Sequence, residues 1–323
     1  MYESFYNLKR GPFEITPDPS FLFPTKRHNE ALAALYYGVR WHKGFVVLTG
    51  QVGTGKTLLL RCLLQLLKQS KDVSYAYLFN SRLAPNEFLQ YIVSDFGLPS
   101  SGKNKGELLF DLCNYVVNRG LNKLTTVLIV DEAHHLSVDA LEEVRLLTNL
   151  ETAEKKLLQI VLVGQPELDE KLDSVRMTQL KQRIAIRSHL EPLSCEETRG
   201  YIEKRVTLVG GKPDVMFPAK TVDAIYRHSR GIPRLVNTIC ENALISGYAK
   251  QMASIAPEMI DEIARDFRLN VVRPAEVERT SGMDENDLQR AAKMLLELYS
   301  TTQKPLAHES QPPAPVAARF RQA

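Results

Sequence analysis

The sequence predicts an α/β fold, a parallel sheet around a phosphate-binding glycine loop, followed by a region of helices only. Three observations predict it. The first is Gly44–Thr57, GFVVLTGQVGTGKT, in which an apolar run (Phe45 to Leu48) leads into Gly50-x-x-x-x-Gly55-Lys56-Thr57 and then a helical pattern from Leu58 to Lys68. Strand, glycine loop and helix in that order are the context a phosphate-binding loop requires. The second is Thr125–Asp131, TTVLIVD, an aliphatic run of the kind buried on both sheet faces, ending in Asp131-Glu132. The third is the change of character at Ser194, after which the periodicity is helical throughout.

The glycine loop is the most specific of these. Gly50, Gly53 and Gly55 let the backbone turn its N–H groups toward phosphate oxygens, and the following helix N-terminus adds partial positive charge. Gly50, Gln51, Val52, Gly53, Thr54, Gly55, Lys56, Thr57 and Leu58 are therefore the candidate nucleotide contacts. Lys56 reaches the β- and γ-phosphates, and the Thr57 hydroxyl holds Mg²⁺ together with Asp131. Glu132 then stands where a carboxylate can polarise the attacking water. An acid at the C-terminal end of a buried strand lies at the sheet edge where α/β folds bind ligands.

The 323 residues suffice for more than one domain, and 44% hydrophobic content is that of a globular protein. With 41 Lys and Arg against 38 Asp and Glu, the net charge of +3 neither demands nor excludes a DNA partner. Cys62, Cys113, Cys195 and Cys240 are widely spaced, and the first, second and fourth fall in helical patterns, so buried free thiols are expected rather than a metal site. The N-terminus lacks the apolar core of a signal peptide, and no window offers the roughly 20 apolar residues of a membrane span. The expected compartment is the cytoplasm.

Residues 1–26 interleave Pro12, Pro17, Pro19 and Pro24 with Phe5, Phe13, Phe21 and Phe23. The prolines exclude a regular helix, and the aromatics predict an arm laid on a folded body, either packing only or walling the adenine side of the site. A helix is expected over Arg27–Trp41 (Ala31, Leu35, Val39 inward), a strand over Val73–Phe79 with a polar turn from Asn80, and helices over Pro85–Phe96 and Lys105–Leu121. The Gly/Ser/Lys loop between those helices predicts exposed Lys103 and Lys105, either solvated or touching an anionic partner. Ser137 can cap a helix to Leu150, and adjacent His134 and His135 are expected to face apart with no ligand set around them. Leu157–Val163 is the next buried strand, ending in Gly164-Gln165-Pro166. Gln165 thus reaches the same sheet edge as Asp131, as a γ-phosphate or water contact or as a simple turn residue. After a helix at Met177–Gln182, Ile184–Leu190 is the last strand, with Arg183 and Arg187 as candidate trans-acting arginines or plain surface residues.

Ser194-x-x-Glu197 is a capping box. Further helices are expected at about 218–229, 233–251 and 257–269, the second opened by Gly231-Ile-Pro-Arg234. A cation in a first helical turn opposes the helix dipole, which favours Arg234 as a partner of a bound anion. Asp284–Tyr299 reads as one more amphipathic helix and Lys304–Ala323 as a disordered Pro/Ala-rich tail. The organisation read is an arm (1–26), a nucleotide-binding αβα domain (27–192), a helical lid (193–272) and a tail (273–323).

The glycine loop, Asp131-Glu132, Gln165, Arg183 and Gly231-Ile-Pro-Arg234 occur in the order found in AAA+ ATPases. PDPSFLF, HNEALAALYYGV, LTGQVGTGKT, VDEAHHLS, LVGQPEL and GIPRLVN further resemble the general-secretion-pathway A-type family, whose relatives serve exopolysaccharide-export, pilus and transposition systems. The resemblance covers about residues 1–270. It implies a five-stranded αβα nucleotide domain with a helical lid, Mg²⁺-dependent ATP hydrolysis, and Gln165 as sensor 1, Arg183 as arginine finger and Arg234 as sensor 2. It also implies a nucleotide-dependent homo-oligomer, with a ring as one form, and a protein partner in an envelope export or secretion machine, which would hold the chain peripherally at the inner membrane. Membrane-anchored members continue into a transmembrane helix and a periplasmic peptidoglycan-binding region, and this chain carries neither. That departure implies an assembly or regulatory ATPase. A DNA-associated regulator of transposition and a nucleotide-dependent partner-binding switch are the alternatives.

Overall fold

The computed structural model describes residues 1–79 and 83–269. The turn expected from Asn80 and the helix and tail expected beyond residue 273 lie outside the described residues. Five parallel strands form one sheet in the order β2-β3-β4-β1-β5. They are β1 (Phe45–Gly50), β2 (Val73–Leu78), β3 (Thr125–Val130), β4 (Leu158–Gly164) and β5 (Ile184–Leu190). β1, β3 and β4 are buried along their whole lengths, whereas the edge strand β5 alternates half-buried and exposed positions before ending in buried Leu190. That contrast is why three strands read as continuous aliphatic runs and β5 does not.

Side chains alternate across the sheet with period two, so each strand feeds two cores. Phe45, Val47, Leu128 and Leu162 face the helices Pro85–Asp95, Lys105–Leu121 and Val138–Leu147. Val46, Leu48, Ile129 and Val161 face Lys26–Arg40 and Lys56–Lys68. Helix starts follow local chemistry. Ser137, Asn104 and Ser194 each accept a backbone N–H at the N-cap, the latter two within capping boxes.

A third core is all-helical and joins the helices Cys195–Leu208, Ala219–Ser229, Pro233–Ala249 and Pro257–Asp266. The N-terminal arm belongs to it. Tyr2, Tyr6, Leu8, Phe13 and Phe21 are buried there, and Phe13 meets Phe217 edge to face at 5.7 Å. Lys9 N–H donates to the Val209 carbonyl (2.9 Å), and Tyr6 Oη donates to the Met252 carbonyl (2.9 Å). The prolines limit residues 12–24 to a single 3₁₀ turn at Pro19–Phe21, while one short helix, Tyr2–Phe5, forms ahead of them.

Candidate nucleotide site

The C-terminal ends of β1, β3 and β4 converge on one edge of the sheet, and the charged candidates converge with them. Gly53 (φ 82°) and Gly55 (φ 102°) adopt the left-handed backbone that curls the loop inward. A Cβ on Gly53 would lie 2.8 Å from Arg234 Cβ, so glycine also lets the helical region approach the loop. Buried Lys56 donates from Nζ to the carbonyls of Gly50 (2.8 Å) and Gln51 (2.9 Å), which holds the ammonium at the mouth of the loop. Burial lowers its pKa, and Glu132 and Asp131 oppose that shift.

Thr57 Oγ1 donates to Asp131 Oδ2 at 3.4 Å, and Tyr77 Oη donates to the same oxygen at 3.0 Å. Burial pushes the Asp131 carboxyl up, against the lowering effect of bonds from the Glu132 N–H and Tyr77. A buried carboxylate beside a hydroxyl is a fitting pair of hard oxygen donors for a Mg²⁺ ion.

Glu132 sits at φ 51°, a left-handed conformation unusual for a residue with a side chain, directly after the strand. Its Oε2 accepts from Gln165 Nε2 at 3.3 Å, and His134 Nδ1 lies at 3.3 Å from the same oxygen. The imidazoles expected to face apart do not. In the 3₁₀ turn at Ala133–His135 the His134 and His135 rings lie 4.0 Å apart between centroids. Donor atoms of Glu132, His134 and His135 also lie within 4.8 Å of one another, a grouping the sequence reading did not anticipate. His134 Nδ1 is engaged there with the Gln165 N–H (3.4 Å).

Across from this edge the helical region closes a cleft of about 360 Å³. Val52, Gly53, Gly55, Lys56, Thr57 and Leu58 line it from the loop, with Glu132 and Gln165 beside them. Arg234, Tyr201, Arg205 and Asn237 line it from the helices, and Ile15 to Asp18 of the arm close one side. The Arg234 N–H donates to the Gly53 carbonyl at 3.2 Å, joining the two walls. Arg183 lies elsewhere. Its Nη1 donates to Thr148 Oγ1 (2.6 Å) and Asn149 Oδ1 (2.5 Å), and Arg187 pairs with Asp169 (3.1 Å) and Asp173. Lys103 and Lys105 are tied to Asp111 and Glu143 rather than free in solvent.

Sequence reasoning missed His28. Its Nε2 contacts the Thr54 carbonyl (3.1 Å), which only accepts, so Nε2 carries the proton and Nδ1 accepts from Thr25 Oγ1 (2.6 Å). A trans peptide is planar. Fixing the Thr54 carbonyl outward on His28 therefore turns the Gly55 N–H into the loop. His28, Ala31, Leu35 and Val39 are buried at helical spacing, so a polar residue completing an apolar stripe was the available signal. Tyr201, Arg205 and Asn237 gave no such signal, since only the packing of the arm and helices brings them to the cleft.

A profile describing AAA domains matches residues 39–172. General secretion pathway protein A of Aeromonas hydrophila is 46% identical over 252 residues, which span 77% of this chain and 45% of that protein. The chain belongs to the AAA+ family, in its general-secretion-pathway A branch. It spans a little under half the length of that relative. Among solved structures, the Aeropyrum pernix ORC2 protein (ADPNP-ADP complexes) superposes with a TM-score of 0.60 at 19% identity, covering 80% of this chain and 72% of that one. Cdc6p of Pyrobaculum aerophilum gives 0.57 at 18%, covering 95% and 86%. At these identities the likeness establishes the AAA+ fold. No described helix of this AAA+ chain is long and apolar enough to cross a membrane.

Proposed function

We propose that this AAA+ chain binds Mg·ATP in the cleft, hydrolyses it, and uses the cycle to move the helical lid in assembling or regulating an envelope secretion or export machine. The observation that carries the proposal is the convergence of Lys56, Thr57, Asp131, Glu132 and Gln165 on one sheet edge beneath Arg234. The loop N–H groups and Lys56 bind the phosphates, and Thr57 and Asp131 hold the cation. When bound, Mg²⁺ supplies charge neutralisation across the β- and γ-phosphates. Glu132 orients and polarises a water in line with the γ-phosphate, and Gln165, donating to Glu132 (3.3 Å), sets the angle of that carboxylate. Arg234 enters from the lid, so nucleotide between the two walls draws them together. The chain reports the γ-phosphate through Gln165 and Arg234, as sensors 1 and 2. The name of the Aeromonas hydrophila relative supports a secretion-linked role.

The site is completed by a second copy. Arg183 stands away from its own cleft, directly before the start of β5, where it can supply positive charge to the γ-phosphate held by the next protomer, a contribution worth about 10³–10⁵ in rate. Arg183→Ala and Lys56→Ala are each expected to hydrolyse ATP poorly. Mixed at concentrations where oligomers form, they should regain turnover above either alone, because some interfaces then pair an intact Lys56 with an intact Arg183. Mixed oligomers without recovery would assign the role to Arg187 or to a site complete within one chain. Parallel turnover measurements with and without duplex DNA separate the secretion reading from a DNA-associated regulator, for which stimulation by DNA is the expected mark.

A further inference from the structure

The edge of the sheet opposite the cleft carries chemistry that nucleotide turnover does not use. In a parallel sheet all strand starts share one edge, and here the starts of β1 to β4 are each preceded by lysine and that of β5 by Arg183. Lys43 precedes β1, Lys71 precedes β2, Lys123 precedes β3, and Lys155 and Lys156 precede β4. The segments are tied together at that edge. The Thr125 N–H donates to the Asp72 carbonyl (2.9 Å), His42 Nδ1 contacts the Lys156 carbonyl (3.2 Å), and Arg119 Nη2 donates to the carbonyls of Asp72 (3.1 Å) and Thr125 (3.0 Å). The acids in these segments are Asp72, Glu151 and Glu154, of which Asp72 is paired with Arg40 (2.7 Å) and Glu151 with Lys156. Among the described residues no carboxylate pairs with Lys43, Lys71, Lys123 or Lys155. The positive surroundings are felt by His42, whose pKa burial lowers and Lys155 and Arg40 lower further.

Large apolar side chains stand out among these lysines. Trp41 is 59% exposed and Leu121 76% exposed, at the ends of helices that run down to this edge. Trp41 stacks on Tyr37 at 4.8 Å, and Lys43 Nζ covers the Tyr37 ring at 5.5 Å. Both faces of Tyr37 are thus taken, while the outer side of the Trp41 indole and Leu121 remain exposed to enter an apolar layer. Indole and aliphatic groups ringed by lysines suit the headgroup and upper acyl region of a bilayer, and clustered lysines are drawn to anionic lipid.

We propose that the N-terminal edge of the sheet docks this chain directly on an anionic lipid surface, with Trp41 and Leu121 entering the interface and Lys43, Lys71, Lys123 and Lys155 binding headgroups. Docking there leaves the nucleotide cleft, at the opposite edge, facing away from the membrane. It requires no partner protein.

Trp41 is the sole tryptophan of the chain, so the indole emission of the whole protein reports this one point of the surface. The full chain is titrated with phosphatidylcholine vesicles with and without phosphatidylglycerol. Emission is expected to move to shorter wavelength on the anionic vesicles only, and to return as salt is raised. Each lysine near an anionic leaflet is worth about fivefold in partitioning, so Lys43→Glu with Lys155→Glu should lower vesicle binding by at least about 25-fold. The single variant Leu121→Asp, at an exposed position, should weaken binding while leaving the thermal midpoint in place, and it keeps the test usable if the double variant folds poorly. Unchanged Trp41 emission on anionic vesicles overturns the proposal, as does vesicle binding that survives these substitutions. Quenching by a single-stranded oligonucleotide, with no response to vesicles, would give the surface to nucleic acid instead and equally overturn it.

Discussion

The two walls of the cleft are built by different means. The sheet edge supplies charge: Lys56, Thr57, Asp131 and Glu132 sit at the ends of β1 and β3, within six or seven residues of strands buried along their whole length. The helical wall supplies Tyr201, Arg205, Arg234 and Asn237 from two helices, together with an arm whose first residues are more than 200 positions away in sequence. Rigid strands fix the first wall, whereas the second depends on aromatic packing of the arm. The sheet edge should therefore set the rate of chemistry, and the helical wall should set affinity and closure.

The sharpest way to break that division is to loosen the arm. Phe13 is fully buried against Phe217, and truncating such a ring costs about 3–5 kcal/mol. Phe13→Ala should lower the thermal midpoint of the helical region and raise the nucleotide concentration needed for half-maximal binding. If affinity is untouched while the helical region melts early, the arm is a passive strap. A smaller effect is expected at Arg234. Removing a charge-assisted contact to phosphate costs about 1.5–3 kcal/mol, so Arg234→Ala should weaken ATP binding by roughly tenfold or more. ADP, which lacks the γ-phosphate, should be less affected, and equal losses for both nucleotides would deny Arg234 its place at the γ-phosphate.

The contrast also explains what the sequence could and could not disclose. The sheet edge was legible because a glycine loop, an aliphatic run and the acids that follow it are local patterns. β5 was legible despite its alternating exposure, because Ile184 and Ile186 still mark one face. On the helical wall only Arg234 stood out, since the glycine and proline ahead of it fix a helix start. Tyr201, Arg205 and Asn237 carry no local mark, and Arg205 reaches its position through the Pro12 carbonyl (2.6 Å) and the Phe21 ring, both from the arm. His134 and His135 were misjudged because backbone direction alone was weighed, whereas side-chain torsions bring the two rings together at 4.0 Å.

The smallest expected effect concerns acid. Burial lowers the pKa of His28, His42 and His134 below the usual value of 6.5. With the folded pKa below the unfolded one, the unfolded chain takes up protons first. The stabilisation is therefore complete above about pH 6.5 and is lost as the pH falls toward the folded values. The thermal midpoint should drop between about pH 7 and pH 5.5. His28→Asn should flatten part of that slope, and an unchanged slope would mean that His28 is not held neutral against Thr54.

The division of labour rests finally on Glu132. Its N–H donates to Asp131 Oδ1 (2.9 Å), and its carboxylate accepts from Gln165 Nε2 (3.3 Å). The direct measurement is nucleotide affinity and steady-state turnover of Glu132→Gln, made side by side with the unaltered protein. The expected result is ATP affinity within about twofold and turnover lower by about 10²–10⁴, the range for removing a general base. Turnover at the unaltered rate, or affinity and rate falling together, would contradict the assignment of chemistry to the sheet edge.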